Sequence, residues 1–137
     1  MTSVADYAAW RHVTTGGFTP PASTSTTLWT VSDDPIRARI VIYVTSALSG
    51  AVNFTIANDG ANLCTATACP TAAGSLLVPV TVGFTALTAT GTGGVRSIVS
   101  NVFECQPSTI TLATSATVTG TIVADMWYIP FGSASVA

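Results

Sequence analysis

The sequence has no lysine, a single histidine and very little charge of either sign. Charged residues are 7% of its 137 residues, against about 25% in an ordinary soluble domain. The cations are Arg11, Arg37, Arg39 and Arg96, and the formal net charge is −2. Without a basic face, nucleic acid is excluded as a partner. Long apolar runs are missing too. "ARIVIYV" and "GSLLVPV" fall well short of the roughly 18 residues of a spanning helix, so no membrane is expected. A β-barrel membrane protein stays open, though the chain is short of strands for it. The start, "MTSVADYAAWRHVTTGG", has no charged segment leading into a long apolar core and does not read as a secretion signal.

Catalytic chemistry is equally short of parts. A Ser-His-Asp or Cys-His arrangement would have to use His12. The six carboxylates, Asp6, Asp33, Asp34, Asp59, Glu104 and Asp125, are scattered. Asp33 and Asp34 precede Pro35, which is turn chemistry. "GTGG" at 91–94 lacks the Lys-Ser/Thr of a phosphate loop. No enzyme activity and no cofactor are expected. Three cysteines remain, Cys64, Cys69 and Cys105. A zinc site would need a fourth ligand, and the only histidine, His12, is far away in sequence. The alternatives are a disulfide from Cys105 to Cys64 or Cys69, or three small buried thiols.

Apolar residues are abundant, at 48%. High hydrophobicity with low charge is the reverse of a disordered chain. Thr, Ser, Ala and Gly stand where charges normally sit. Either neighbouring subunits cover much of the surface, or hydroxyls do the solvating. The length suits one domain with a core of its own.

Residues 1–26 read as an N-terminal arm. "SVADYAAW" suits one helical turn, and "TTGGFTPPASTST" an extended strap. With Tyr7, Trp10 and Phe18, the arm is expected to lie on its own domain or on a neighbour. Residues 27–137 read as one domain of about eight short strands separated by Gly, Pro and Asn turns. In "IRARIVIYVTSAL", Ile36, Ala38, Ile40, Ile42 and Val44 share one face. A turn at Ser49-Gly50 predicts a hairpin with "AVNFTIAND", where Phe54 points inward and makes the Asn53 glycosylation pattern a chance match. Pro79 predicts an edge strand or a bulge. The fold class is therefore all-β: an antiparallel β-sandwich or jelly-roll with an extended N-terminal arm.

The densest aromatic cluster lies in "GTIVADMWYIPFG". Val123, Asp125, Trp127 and Ile129 share one face, and Ile122, Ala124, Met126 and Tyr128 the other. A strand apolar on both faces is central in a sandwich or meets another subunit. Asp125 should find Arg37, Arg39 or Arg96. Trp127 serves either as a half-exposed residue, as an intersubunit patch with Ile129, or as a sugar-binding platform. Pro130 should end the pairing and let a small-residue tail leave the domain.

Three stretches resemble small β-rich virion proteins of tailed bacteriophages. These are the tail from Tyr128 through Pro130 to "GSASVA", the opening "LWTVSDDPIRARIVIYVTSAL", and "NLCTATAC" followed by "AAGSLL". Together they cover about half the chain. The resemblance implies a non-catalytic virion protein. The favoured role is a capsid decoration protein that binds the outside of the head and stabilises it; a tail-surface or tail-tip component is the alternative. Partners would be other copies of the chain, a trimer among the options, and the major capsid protein or tail proteins. Tyr7, Trp10, Phe18, Trp127 and Ile129 are the expected assembly contacts. From another class, a glycan-binding module for host surface sugar would use exposed Trp and Tyr with nearby Asp and Asn.

Overall fold

The structure, a computed structural model, describes residues 10–80, 83–88 and 102–137. Tyr7, the helical turn expected around it, Arg96 and the "GTGG" stretch lie outside the described residues.

Two antiparallel six-stranded sheets pack face to face. The first contains β1 (Arg11–Phe18), β11 (Thr121–Pro130), β3 (Ile36–Ser46), β7 (Ser75–Val80) and β8 (Gly83–Thr88), in that order, with β9 (Phe103–Cys105) also on β3. The second runs β12 (Ser135–Val136), β2 (Ser25–Ser32), β10 (Thr109–Thr114), β4 (Asn53–Asn58) and β5 (Ala61–Asn62), with β6 (Thr67–Ala68) also on β4. The described residues contain no helix. The all-β sandwich expected from the alternation is what forms.

The core comes from inward faces with a period of two. β3 contributes Ile36, Ala38, Ile40, Ile42 and Val44, all buried. β11 sets Ile122, Ala124 and Met126 against them, and the opposing sheet supplies Val31, Phe54, Ile56, Ile110 and Leu112. Each fully buried large aliphatic or aromatic side chain is worth about 1.5–3 kcal/mol of transfer free energy. Buried Asn58 is satisfied: it donates to the carbonyls of Gln106 and Thr109, each at 3.2 Å, and accepts from the Gln106 N–H at 2.7 Å. It ties the β9–β10 connection to β4.

Three local expectations change. The arm is, from Arg11 to Phe18, an edge strand of its own domain, paired with β11. The two glycines that suggested a break form a bulge instead. Pairing shifts between Thr14 and Gly17, and Gly16 takes φ +68°, a backbone region open chiefly to glycine. The Thr15 hydroxyl fills the gap in the ladder by accepting the Ala124 N–H at 3.1 Å. Second, β3 and β4 are not a hairpin, for they lie in different sheets. The segment at 47–52 crosses between the layers, with Leu48 and Val52 buried. Two apolar strand faces gain more by facing each other across the core than by lying side by side. Third, the tail does not leave the domain.

That tail is held by a carboxylate clasp. Asp34 accepts the Ser133 N–H at 2.8 Å and the Ser133 hydroxyl at 3.1 Å. Gly132, at φ +50°, passes so close that an added Cβ would collide with the Asp34 carboxylate. The chain thus crosses to the second sheet, where Ser135 and Val136 pair with Ser32 and Val31. Pro79 sits beyond the two residue pairs that join β7 to β3, and its other neighbour is β8. The strand is interior to the sheet, yet its proline removes no donor from the β3 ladder.

Candidate functional site

β11 lies between β1 and β3, and the register decides which side chains meet on the outer face. His12, Trp127 and Arg39 form one row across the three strands. Thr14, Asp125 and Val41 form the next, and Val123 faces Tyr43 in the third. Trp10 continues β1 at the first row's edge.

Ring stacking and charge organise these rows. The His12 ring lies 4.9 Å from Trp127, centroid to centroid, tilted by 30°. The Arg39 guanidinium sits 4.9 Å above the Trp10 ring. Such a cation–π contact at a partly exposed site contributes about 0.5–1 kcal/mol. Trp10, Arg39, Val41 and Trp127 line an open groove of about 400 Å³. Trp127 is 37% exposed and Phe131, under Arg37 at 5.8 Å, is 38% exposed; among the described residues they are the large exposed hydrophobics.

Asp125 does not pair with an arginine. It accepts from His12 Nε2 at 3.1 Å. Its β3 neighbour is Val41, whereas Arg39 stands opposite Trp127 and Arg37 opposite Ile129. The register therefore sets Arg39 one row away and Arg37 two rows away, and Arg96 lies outside the described residues. The Tyr43 phenol is pushed up from 10.0 by burial first, then by the Asp125 carboxylate, through its charge and its capacity to accept a hydrogen bond. Arg39 has no carboxylate within ion-pair distance among the described residues.

The expected contact residues separate. Trp127 is outward and exposed, Ile129 is half-buried on the same face, and Trp10 joins them from β1. Phe18 points the other way and packs against the core. His12 and Arg39 were missed as site members. Reading 10–18 as a strand would have put Trp10 and His12 on one face; the Gly16-Gly17 pair concealed that period.

The three cysteines are buried free thiols, so a bridge from Cys105 to Cys64 or Cys69 is not made. Cys105 belongs to β9 of the first sheet, while Cys64 and Cys69 flank β6 of the second. Burial raises all three, Cys69 to about 11 and Cys105 to about 12. Neutral buried thiols are poor nucleophiles and poor metal ligands. Among the described residues no three His, Cys, Asp or Glu side chains gather where they could hold a metal ion.

Compared with family models, curated proteins and solved structures, the chain matches none.

Proposed function

We propose that this chain is a structural protein of a tailed-bacteriophage virion, of the capsid-decoration type, which docks through the outer face of β1, β11 and β3. The observation that carries this reading is the exposed Trp127 beside Trp10 on a strand whose inner face is already committed to the core. Large rigid aromatics flanked by arginine are the side chains that dominate protein interfaces. The sparse charge and the resemblance of three strand segments to phage virion proteins favour a particle as the partner. Many copies, each binding weakly, would gain strength by avidity.

The test is mass spectrometry and density mapping of virions from the phage that carries the gene. The expected outcome is a fixed stoichiometry, density on the outside of the head, and loss of at least tenfold in occupancy for Trp127→Ala. Absence of the chain from purified particles would refute the reading. Density on the tail would move the role to a tail component.

A second reading, an acidic-glycan module, is favoured by Arg39, which lies over the Trp10 ring and opposite Trp127 at the groove, with no carboxylate in ion-pair distance among the described residues. It predicts that the isolated chain binds an acidic polysaccharide and that both Trp127→Ala and Arg39→Ala abolish the binding.

A further inference from the structure

Histidine is the one side-chain type whose ordinary pKa puts its charge change between roughly pH 5 and 8, and this chain has a single histidine. The fold sets it on the outer face of β1, β11 and β3, between a carboxylate and an indole. Its Nε2 lies 3.1 Å from Asp125 Oδ1, and its ring lies 4.9 Å from the Trp127 ring, centroid to centroid. The three side chains differ in freedom. That of His12 is 47% exposed and exchanges protons with bulk water; that of Asp125 is 14% exposed and is the fixed partner. Trp127 is among the exposed large hydrophobics, so core packing does not hold its indole.

We infer that His12 is a proton-operated latch on Trp127: its imidazolium form, held by Asp125, pins the indole and adds a positive charge beside it, and its neutral form lets the indole move. A carboxylate only accepts, so in the neutral ring Nε2 carries the hydrogen and Nδ1 is where the second proton adds. That proton turns the bond to Asp125 into one between two opposite charges, which is the stronger kind. It also turns the stacking on Trp127 into a cation–π contact, within the reach of about 6 Å over which a cation is drawn to an indole. Both changes act on one ring and in one direction, so a single proton tightens the whole cluster.

Among the described residues, the charged and titratable groups facing this ring come from two strands. β11 brings Asp125. β3 brings Tyr43, whose phenol is pushed up from 10.0 and so away from this range, and Arg39, whose charge is permanent. Arg39 stands opposite Trp127 on the side away from His12. Protonation of His12 therefore places a cation on each side of the indole, where the neutral state has one. On β1 itself, Arg11 pairs with Tyr128 on the other face. The latch belongs to the face whatever docks there. It is tested on the isolated chain, so its failure would leave the virion reading standing, and failure of that reading would leave the latch.

Tryptophan emission of the full chain, titrated from about pH 8 to about pH 5, tests it, with the share of Trp127 taken as the difference from Trp127→Phe. That share should fall in a single one-proton step, because a charged imidazole in ring contact quenches an indole. His12→Gln should abolish the step with far-ultraviolet circular dichroism unchanged. Asp125→Asn should cut its amplitude by about half or more, since an exposed ring without its ionic partner leaves the indole for water. Arg39→Gln should leave the step in place. Nuclear magnetic resonance of the unmodified chain gives an independent reading: the His12 Cε1–H and Trp127 Nε1–H signals should titrate with one shared midpoint. Emission from Trp127 that is flat across the range, a step that survives His12→Gln, full amplitude in Asp125→Asn, or two separate midpoints would overturn the inference.

Discussion

The two sheets bury similar aliphatic faces but show water two different chemistries. The outer face of the β2–β10–β4 sheet carries Ser25, Thr27, Thr30, Ser32, Thr111, Ala113, Asn53, Thr55 and Ala57. Among the described residues these strands put no aromatic and no charge on that face. The outer face of the β1–β11–β3 sheet carries Trp10, His12, Asp125, Trp127, Arg37, Arg39 and Tyr43. Hydroxyls solvate the first; the second sets His12, Arg37, Arg39 and Asp125 around Trp10 and Trp127. Low charge is thus not spread evenly over the molecule. It describes one bland sheet and one chemically loaded sheet, and only the loaded sheet looks built for recognition.

The strongest way to break that comparison lies within β11, where neighbouring residues face opposite ways. Met126→Ala should cost about 2–5 kcal/mol in urea unfolding, because it empties space in the fully buried core. Trp127→Ala should cost less than about 1 kcal/mol while removing partner binding. Equal losses would mean that the outer face is a second core surface.

A smaller effect comes from two of the three buried thiols, Cys69 beside β6 of the second sheet and Cys105 in β9 of the first. Cys69 and Cys105 titrate in the folded chain at about 11 and about 12, above the ordinary 9.0, chiefly through burial. The unfolded chain therefore releases these protons first as pH rises. The stability they support is fully present below pH 9.0 and is lost as pH climbs towards about 11 for Cys69 and about 12 for Cys105, as linkage requires of a group whose pKa is higher folded than unfolded. Denaturation midpoints measured across that window should fall, and Cys105→Ala should flatten the slope. A midpoint that rose with pH would contradict the buried, protonated thiols.

The smallest expected effect is at Asp125. His12 is 47% exposed at its side chain, and exposed pairs contribute less than about 1 kcal/mol. Asp125→Asn should therefore hardly change stability. It should instead bring the Tyr43 phenol part of the way back towards 10.0, since burial, the larger cause, stays in place. Ultraviolet difference titration reads this shift directly. An unchanged phenol would remove Asp125 from the network.

Much of the fold was legible in the alternation. The inward row Ile36, Ala38, Ile40, Ile42 and Val44 and the two-faced character of β11 follow from residue parity alone, because a strand side chain has only two directions to point. The partners were not legible. Asp125 meets His12, 113 positions earlier in the chain, because β1 and β3 both happen to flank β11. No local pattern encodes which strands become neighbours, and the hairpin expected between β3 and β4 failed for the same reason. The clasp of Asp34 on Ser133 likewise joins two turns that only the closed sandwich brings together.

By itself, then, the sequence determined an all-β chain, one apolar face for each main strand, and a late strand, β11, with aromatics on both sides. These are consequences of side-chain period and composition, which act within a few residues. The tertiary structure alone decided that the supposed arm is an edge strand, that the tail returns to β2, and that Trp10, His12, Arg39 and Trp127 stand together. Those outcomes depend on register between distant strands, which is set by the burial of whole faces rather than by any residue's immediate neighbours.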